Sequence, residues 1–127
     1  MNSTAQTDYS NTDYSNTRTD YSNKVPRRIT QALLRRLDAC EDGITAFLKV
    51  FPVGVVVTPE TLQVAFDAEL DLDFLAFLLG CKQPSDYDAT SDLHWRYREK
   101  EFTYETMRRA VRQIGLDALL QALETQQ

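Results

Sequence analysis

Apolar residues recur along this chain at helical intervals, and the densest such stretch is Cys40–Gly54. Ile44, Phe47, Leu48 and Phe51 stand at i, i+3, i+4 and i+7, which puts four side chains on one helix face. Pro52 cannot continue the helical hydrogen bonding, so that helix stops there and Pro52-Val53-Gly54 reads as a turn. Upstream, Ile29, Leu33 and Leu37 predict a first helix from Arg28 to Asp38, and Cys40 and Gly43 are expected to let the first two helices approach. Downstream, Val55-Val56-Val57 is β-branched and extended; with no second strand evident to pair with it, it reads as a buried linker. Thr58-Pro59-Glu60 starts a third helix that runs to Glu69, and Asp71 caps a fourth, Leu72 to Leu79, which ends at Gly80. Cys81 to Asp92, with Pro84 in it, reads as a polar loop. Ser91 is expected to cap a fifth helix through Leu93, Trp95, Tyr97 and Lys100. Thr103 caps a sixth that ends at Gly115, and Leu116, Leu119, Leu120 and Leu123 form a last one. The pattern predicts an all-α fold, a compact bundle of about six to seven short helices.

The periodicity begins only after Pro26. Before it, TDYSN occurs at Thr7–Asn11, Thr12–Asn16 and Thr19–Asn23, and the only large apolar groups are Tyr9, Tyr14 and Tyr21. Such a segment buries too little surface to offset its ordering entropy, so residues 1–25 are expected to form a disordered tail and 26–127 the helical domain. The sharper reading of the tail is a docking segment in which Tyr9, Tyr14 and Tyr21 order on a partner.

Composition adds bounds. The chain has 127 residues, 43% of them hydrophobic and 26% charged, ordinary values for one globular domain. No apolar run approaches the roughly 18 residues of a membrane span, and the first residues lack a signal peptide's basic and apolar regions. A cytoplasmic protein is expected. The net charge of -5 disfavours nucleic acid on average. Its distribution is uneven: five bases and no acid fall between Lys24 and Arg36, whereas eight acids and the single base Lys82 fall between Glu60 and Asp92.

Candidate chemistry changes the picture little. Cys40 and Cys81 stand far apart without CxxC spacing, which gives no zinc pattern; both are expected to act as small buried hydrophobes. Asp86, Asp88 and Asp92 lack the glycine and glutamate of a calcium loop. The single histidine, His94, has no evident catalytic partner, and no phosphate-binding loop or HExxH motif occurs. No cofactor and no catalysis are expected. Protein–protein interaction is the favoured class. Trp95, Arg96 and Tyr97 are candidate anchors because Trp, Tyr and Arg most often carry interfaces; a core role for Trp95 and Tyr97 is the equal alternative. Arg108, Arg109 and Arg112 lie opposite the apolar stripe of the sixth helix, where Glu105 can pair with the first two at i+3 and i+4. With the first helix's basic face they form the runner-up reading, a nucleic-acid-associated regulator. An acidic surface over Glu60–Asp92 suits a basic protein partner.

Ala39-Cys40, Gly43, Phe47, Phe51-Pro52, Gly54, Thr58 and Leu72-Asp73 to Leu79 resemble a small helical module of uncharacterised bacterial and bacteriophage proteins. The likeness covers residues 37–79 and implies a phage or prophage setting, in which a modulator of a host protein is the expected role. It implies no activity.

Overall fold

Thr30 carries the first helix stop-and-start decision. Its Oγ1 accepts from Leu33 N at 3.2 Å, so α1 (Gln31–Arg36) begins only after it, and the residues before it are extended. The computed structural model describes residues 25–126; the TDYSN repeats with Tyr9, Tyr14 and Tyr21 lie outside the described residues. Within that span β1 (Arg28–Ile29) pairs antiparallel with β2 (Val55–Val56), Arg28 opposite Val56 and Ile29 opposite Val55, and Val57 N donates to Arg27 O at 2.9 Å. Val55–Val57 is therefore half of a short ribbon and not an unpaired linker. The partner strand has no separate signal in the sequence, because Ile29 also fits the first helical stripe.

The remaining helices are α2 (Glu41–Val50), α3 (Pro59–Asp67), α4 (Leu72–Leu78), α5 (Pro84–Arg98) and α6 (Tyr104–Thr125), so six helices form the described residues. The start of α3 follows its sequence signal: Thr58 Oγ1 accepts from Thr61 N at 3.1 Å and Thr61 Oγ1 accepts from Thr58 N at 2.9 Å. Asp71 Oδ1 caps α4 through Phe74 N at 3.0 Å. Two expectations fail at helix boundaries. The predicted loop Cys81–Asp92 is mostly helix, because Pro84 sits in the first turn of α5, where its missing N–H costs nothing, and Asp86 Oδ2 accepts from Gln83 N at 2.8 Å. Ser91 lies mid-helix. Gly115 does not end a helix either: α6 runs unbroken through it for 22 residues.

What Gly115 does is bring α6 against the N-terminal end of α4, where Leu72 and Asp73 backbone atoms occupy the space a side chain would need. Gly43, expected to permit a close approach, faces only the Cys40 thiol. α6 packs on α3, α4 and α5 and is the central element. Leu116 and Leu119 from α6, Leu72 and Ala76 from α4, Leu62, Ala65 and Phe66 from α3 and Ile44 and Phe47 from α2 belong to one buried cluster. Gln126, just past α6, exchanges hydrogen bonds with the backbone of Val25: its Oε1 accepts from Val25 N, and its Nε2 donates to Val25 O at 3.2 Å. The two ends of the described chain are thereby tied together.

Four helices end alike. After α1, α3, α4 and α5 the residues Asp38, Glu69, Gly80 and Lys100 take φ of 61°, 65°, 72° and 64°. In each case the next N–H reaches five residues back: Ala39 to Leu34 O, Leu70 to Ala65 O, Cys81 to Ala76 O and Glu101 to Arg96 O, all at 2.9–3.0 Å. The reversals after α1 and α5 fold α1 on α2 and α5 on α6 with short connections.

Candidate interaction surfaces

The helix α5 has no buried residue. Its inward side is the half-buried stripe Asp86, Thr90, Leu93 and Tyr97, at i, i+4, i+7 and i+11. Asp88, Asp92 and Trp95, continued by Glu99 just past the helix, repeat that spacing two residues on and so fall on the opposite side. Trp95 accordingly points outward and is 59% exposed. The expectation that left Trp95 open between core and surface resolves to surface.

Its sequence neighbours have other tasks. Arg96 Nε donates to Glu101 Oε1 at 3.0 Å, its NH1 lies 3.7 Å from Asp92 Oδ2, and its guanidinium covers the Phe102 ring at 5.2 Å. The hydrogen-bonded Glu101 carboxylate, aided by Asp92, holds the Arg96 pKa above its ordinary value. Arg96 therefore braces the α5–α6 corner. Tyr97 is half-buried and meets Tyr104 edge-on, ring centroids 5.6 Å apart.

The three arginines of α6 are also engaged. Arg108 pairs with Asp71 at 3.6 Å, and the guanidiniums of Arg109 and Arg112 lie 5.1 and 5.4 Å from the centroid of the Phe66 ring. Arg112 is buried, with a buried Nε that has no hydrogen-bond partner among the described residues; the face of Phe66 offsets part of that cost. In the N-terminal basic cluster, Arg28 NH2 donates to Val53 O at 2.7 Å and Arg35 pairs with Glu41 at 2.6 Å. Five of the described bases in the two clusters are thus engaged with groups of the chain itself. Comparison with family models, curated proteins and solved structures returned no match. Function must be argued from the chain itself.

Two features escaped the sequence reading. Lys82, the lone base of the acidic segment, has a side chain only 3% exposed, and its Nζ lies 2.7 Å from Asp73 Oδ1. It also donates to Thr90 Oγ1 at 3.3 Å and sits 4.5 Å from the centroid of Tyr87, so it pins α5 to α4. The second feature is a cleft of about 320 Å³ between α2 on one side and α3 and α4 on the other. Its floor is apolar, with Phe47, Leu62, Leu72 and Leu75, and Phe51 stacks obliquely on Phe47 at 5.4 Å. Exposed Cys40, Asp42, Ala46, Glu69 and Asp71 form its mouth. No local sequence signal marks such a cleft, since its walls are joined only by the fold.

The thiols divide. Cys81 is buried, which pushes its pKa up to about 11, whereas Cys40 is exposed, against the expectation of two buried cysteines. Cys40 Sγ accepts from Gly43 N at 3.4 Å and caps α2. His94 is exposed on α5. Among the described residues no group of three or more His, Cys, Asp or Glu is placed to hold a metal ion, and no helix is long and apolar enough to cross a membrane.

Proposed function

We propose that the chain is a non-catalytic protein-binding module that docks a basic surface of a partner protein on the outer side of α5. The observation that carries this reading is Trp95: the single tryptophan of the chain is 59% exposed on a helix that contributes nothing to the buried core. An indole in water forgoes a large apolar payload, and interface centres are where such side chains recover it. Asp88, Asp92 and Glu99 flank it on the same side, and carboxylates around an aromatic anchor complement lysine and arginine on the partner. The other described candidates from the sequence already have partners within the chain. Arg96 and Tyr97 fix the α5–α6 corner, and Arg108, Arg109 and Arg112 hold α6 against Asp71 and Phe66.

The test compares wild type with Trp95→Ala as baits in a bacterial lysate, the source suggested by the resemblance over residues 37–79. Because the indole is exposed, the variant should keep its helical circular dichroism and lose less than about 0.5 kcal/mol of stability. A partner held by wild type should weaken about 30-fold or more, the loss expected of a tryptophan anchor. Retention of that partner at equal strength by a folded Trp95→Ala protein would sink the proposal.

A further inference from the structure

The cleft between α2 and the α3–α4 pair shares no residue with α5, so it is a separate site from the Trp95 surface. Its volume of about 320 Å³ lies within the range of ligand pockets, and its floor is made of leucine and phenylalanine side chains. Charge says what fits. The charged residues among its described lining are Asp42, Glu69 and Asp71, all acidic and all exposed at the mouth. Asp71 is already met by Arg108 at 3.6 Å and is committed to capping α4, whereas Asp42 and Glu69 have no ion pair among the described residues. An occupant must therefore be apolar along the floor and positive at the rim.

Shape says which kind of occupant. The wall contributed by α4 runs from Leu72 to Leu78, about 9 Å at 1.5 Å per residue. Apolar anchors at i, i+3, i+4 and i+7 of a bound helix span about 10 Å, so two turns of helix match the cleft. We propose that this cleft binds the apolar face of a basic amphipathic helix from a partner protein, with lysine or arginine of that helix meeting Asp42 and Glu69. The floor supplies affinity through burial of apolar surface, and the two carboxylates select orientation and favour association.

Cys40 provides a reporter at the mouth, because it is exposed while Cys81 is buried with its pKa raised to about 11 and reacts slowly in the folded state. The experiment uses the full chain and three synthetic peptides of three helical turns. The first carries leucine at i, i+3, i+4 and i+7 with lysine elsewhere; the second is a scramble of it; the third replaces lysine by glutamate. Binding is read as slowed reaction of Cys40 with a disulfide reagent and, in parallel, by titration calorimetry. The first peptide should protect Cys40 and bind at least about tenfold more tightly than the other two. Ala46→Trp, at an exposed position on the mouth, fills the cleft and should weaken the first peptide about tenfold. Asp42→Asn with Glu69→Gln, which removes charge without filling space, should weaken it about fivefold and flatten its salt dependence. Trp95→Ala should leave it unchanged, which separates this site from the Trp95 surface. Equal binding of first and scrambled peptides, or tight binding undiminished in both cleft variants, overturns the proposal. So does protection of Cys40 by octylamine with none by the first peptide, which would make the cleft a small-amine site.

Discussion

Replacing Gly115 by alanine asks whether the central helix really rests on the backbone of α4. A methyl built at Gly115 would lie 2.5 Å from Asp73 Cα and closer still to Asp73 N and the Leu72 carbonyl carbon. Carbon atoms settle at about 3.5–4.0 Å, so α6 and α4 must part by roughly 1 Å. A radial gap of that size forfeits a quarter to a half of the dispersion between facing atoms. Leu72, Leu116 and Leu119 are almost fully buried in this region, and burial of each is worth roughly 2 kcal/mol, so the loss is about 3 kcal/mol. Against it stands the helix preference of alanine over glycine, about 1 kcal/mol in a helix interior. The net expectation is a destabilisation of about 2 kcal/mol. In urea melts followed by circular dichroism that is a midpoint lowered by roughly 1 M, and in thermal melts a drop of about 10 °C. Gly43→Ala is the matched control, since the nearest atom to its new methyl is the Cys40 thiol at 3.3 Å, the end of a small side chain. It should be neutral or stabilising by up to about 0.5 kcal/mol. A Gly115→Ala protein as stable as wild type, or more so, would refute the close approach.

Lys82→Met should cost about 3 kcal/mol, because it strands Asp73 opposite a removed charge. In a double-mutant cycle with Asp73→Asn the paired variant should lose at least about 1 kcal/mol less than the sum, and strict additivity in urea melts would count against the ion pair. Lys100→Gly should stabilise by about 1 kcal/mol, since Lys100 holds φ of 64°, where an L side chain is strained; a lower melting temperature would contradict this. Burial pushes the Cys81 thiol up from 9.0 to about 11, so its contribution to stability is intact below pH 9 and is lost as pH climbs through 11. The wild-type stability profile should therefore fall towards that of Cys81→Ala over this window. Parallel profiles for the two proteins from pH 7 to 11 would refute it.

Helix starts were more legible in the sequence than helix ends, and the reason is chemical. Thr58 and Asp71 cap through their own side chains, a local property that residue type announces. The four reversals after α1, α3, α4 and α5 all place a residue in the left-handed region, yet only Gly80 advertises it; Asp38, Glu69 and Lys100 take it with ordinary side chains, and what marks them is the next N–H bonding back into the helix. Pro84 reads equally well as a loop residue or as the first turn of a helix, and what decides is the Asp86 carboxylate reaching back to Gln83 N. Gly115 reads as a stop because a glycine after an apolar stripe usually is one; its actual role depends on α4, over forty residues upstream in the chain.

The same distinction explains which functional residues could be found. A solvated face is the default for arginines opposite a stripe, and that rule holds for a helix with one neighbour. α6 packs on three other helices, so its covered arc is wider than one stripe and takes in Arg112, which the ring of Phe66 then accommodates. For α5 the rule works in the other direction. With a single half-buried stripe facing inward, everything two residues out of phase with it must meet water, and that includes Trp95. The cleft has no counterpart in any local pattern. Phe47 and Phe51 have the period of a core stripe, yet the space beside them stays open because α2 is joined to α3 through β2 and not packed along it.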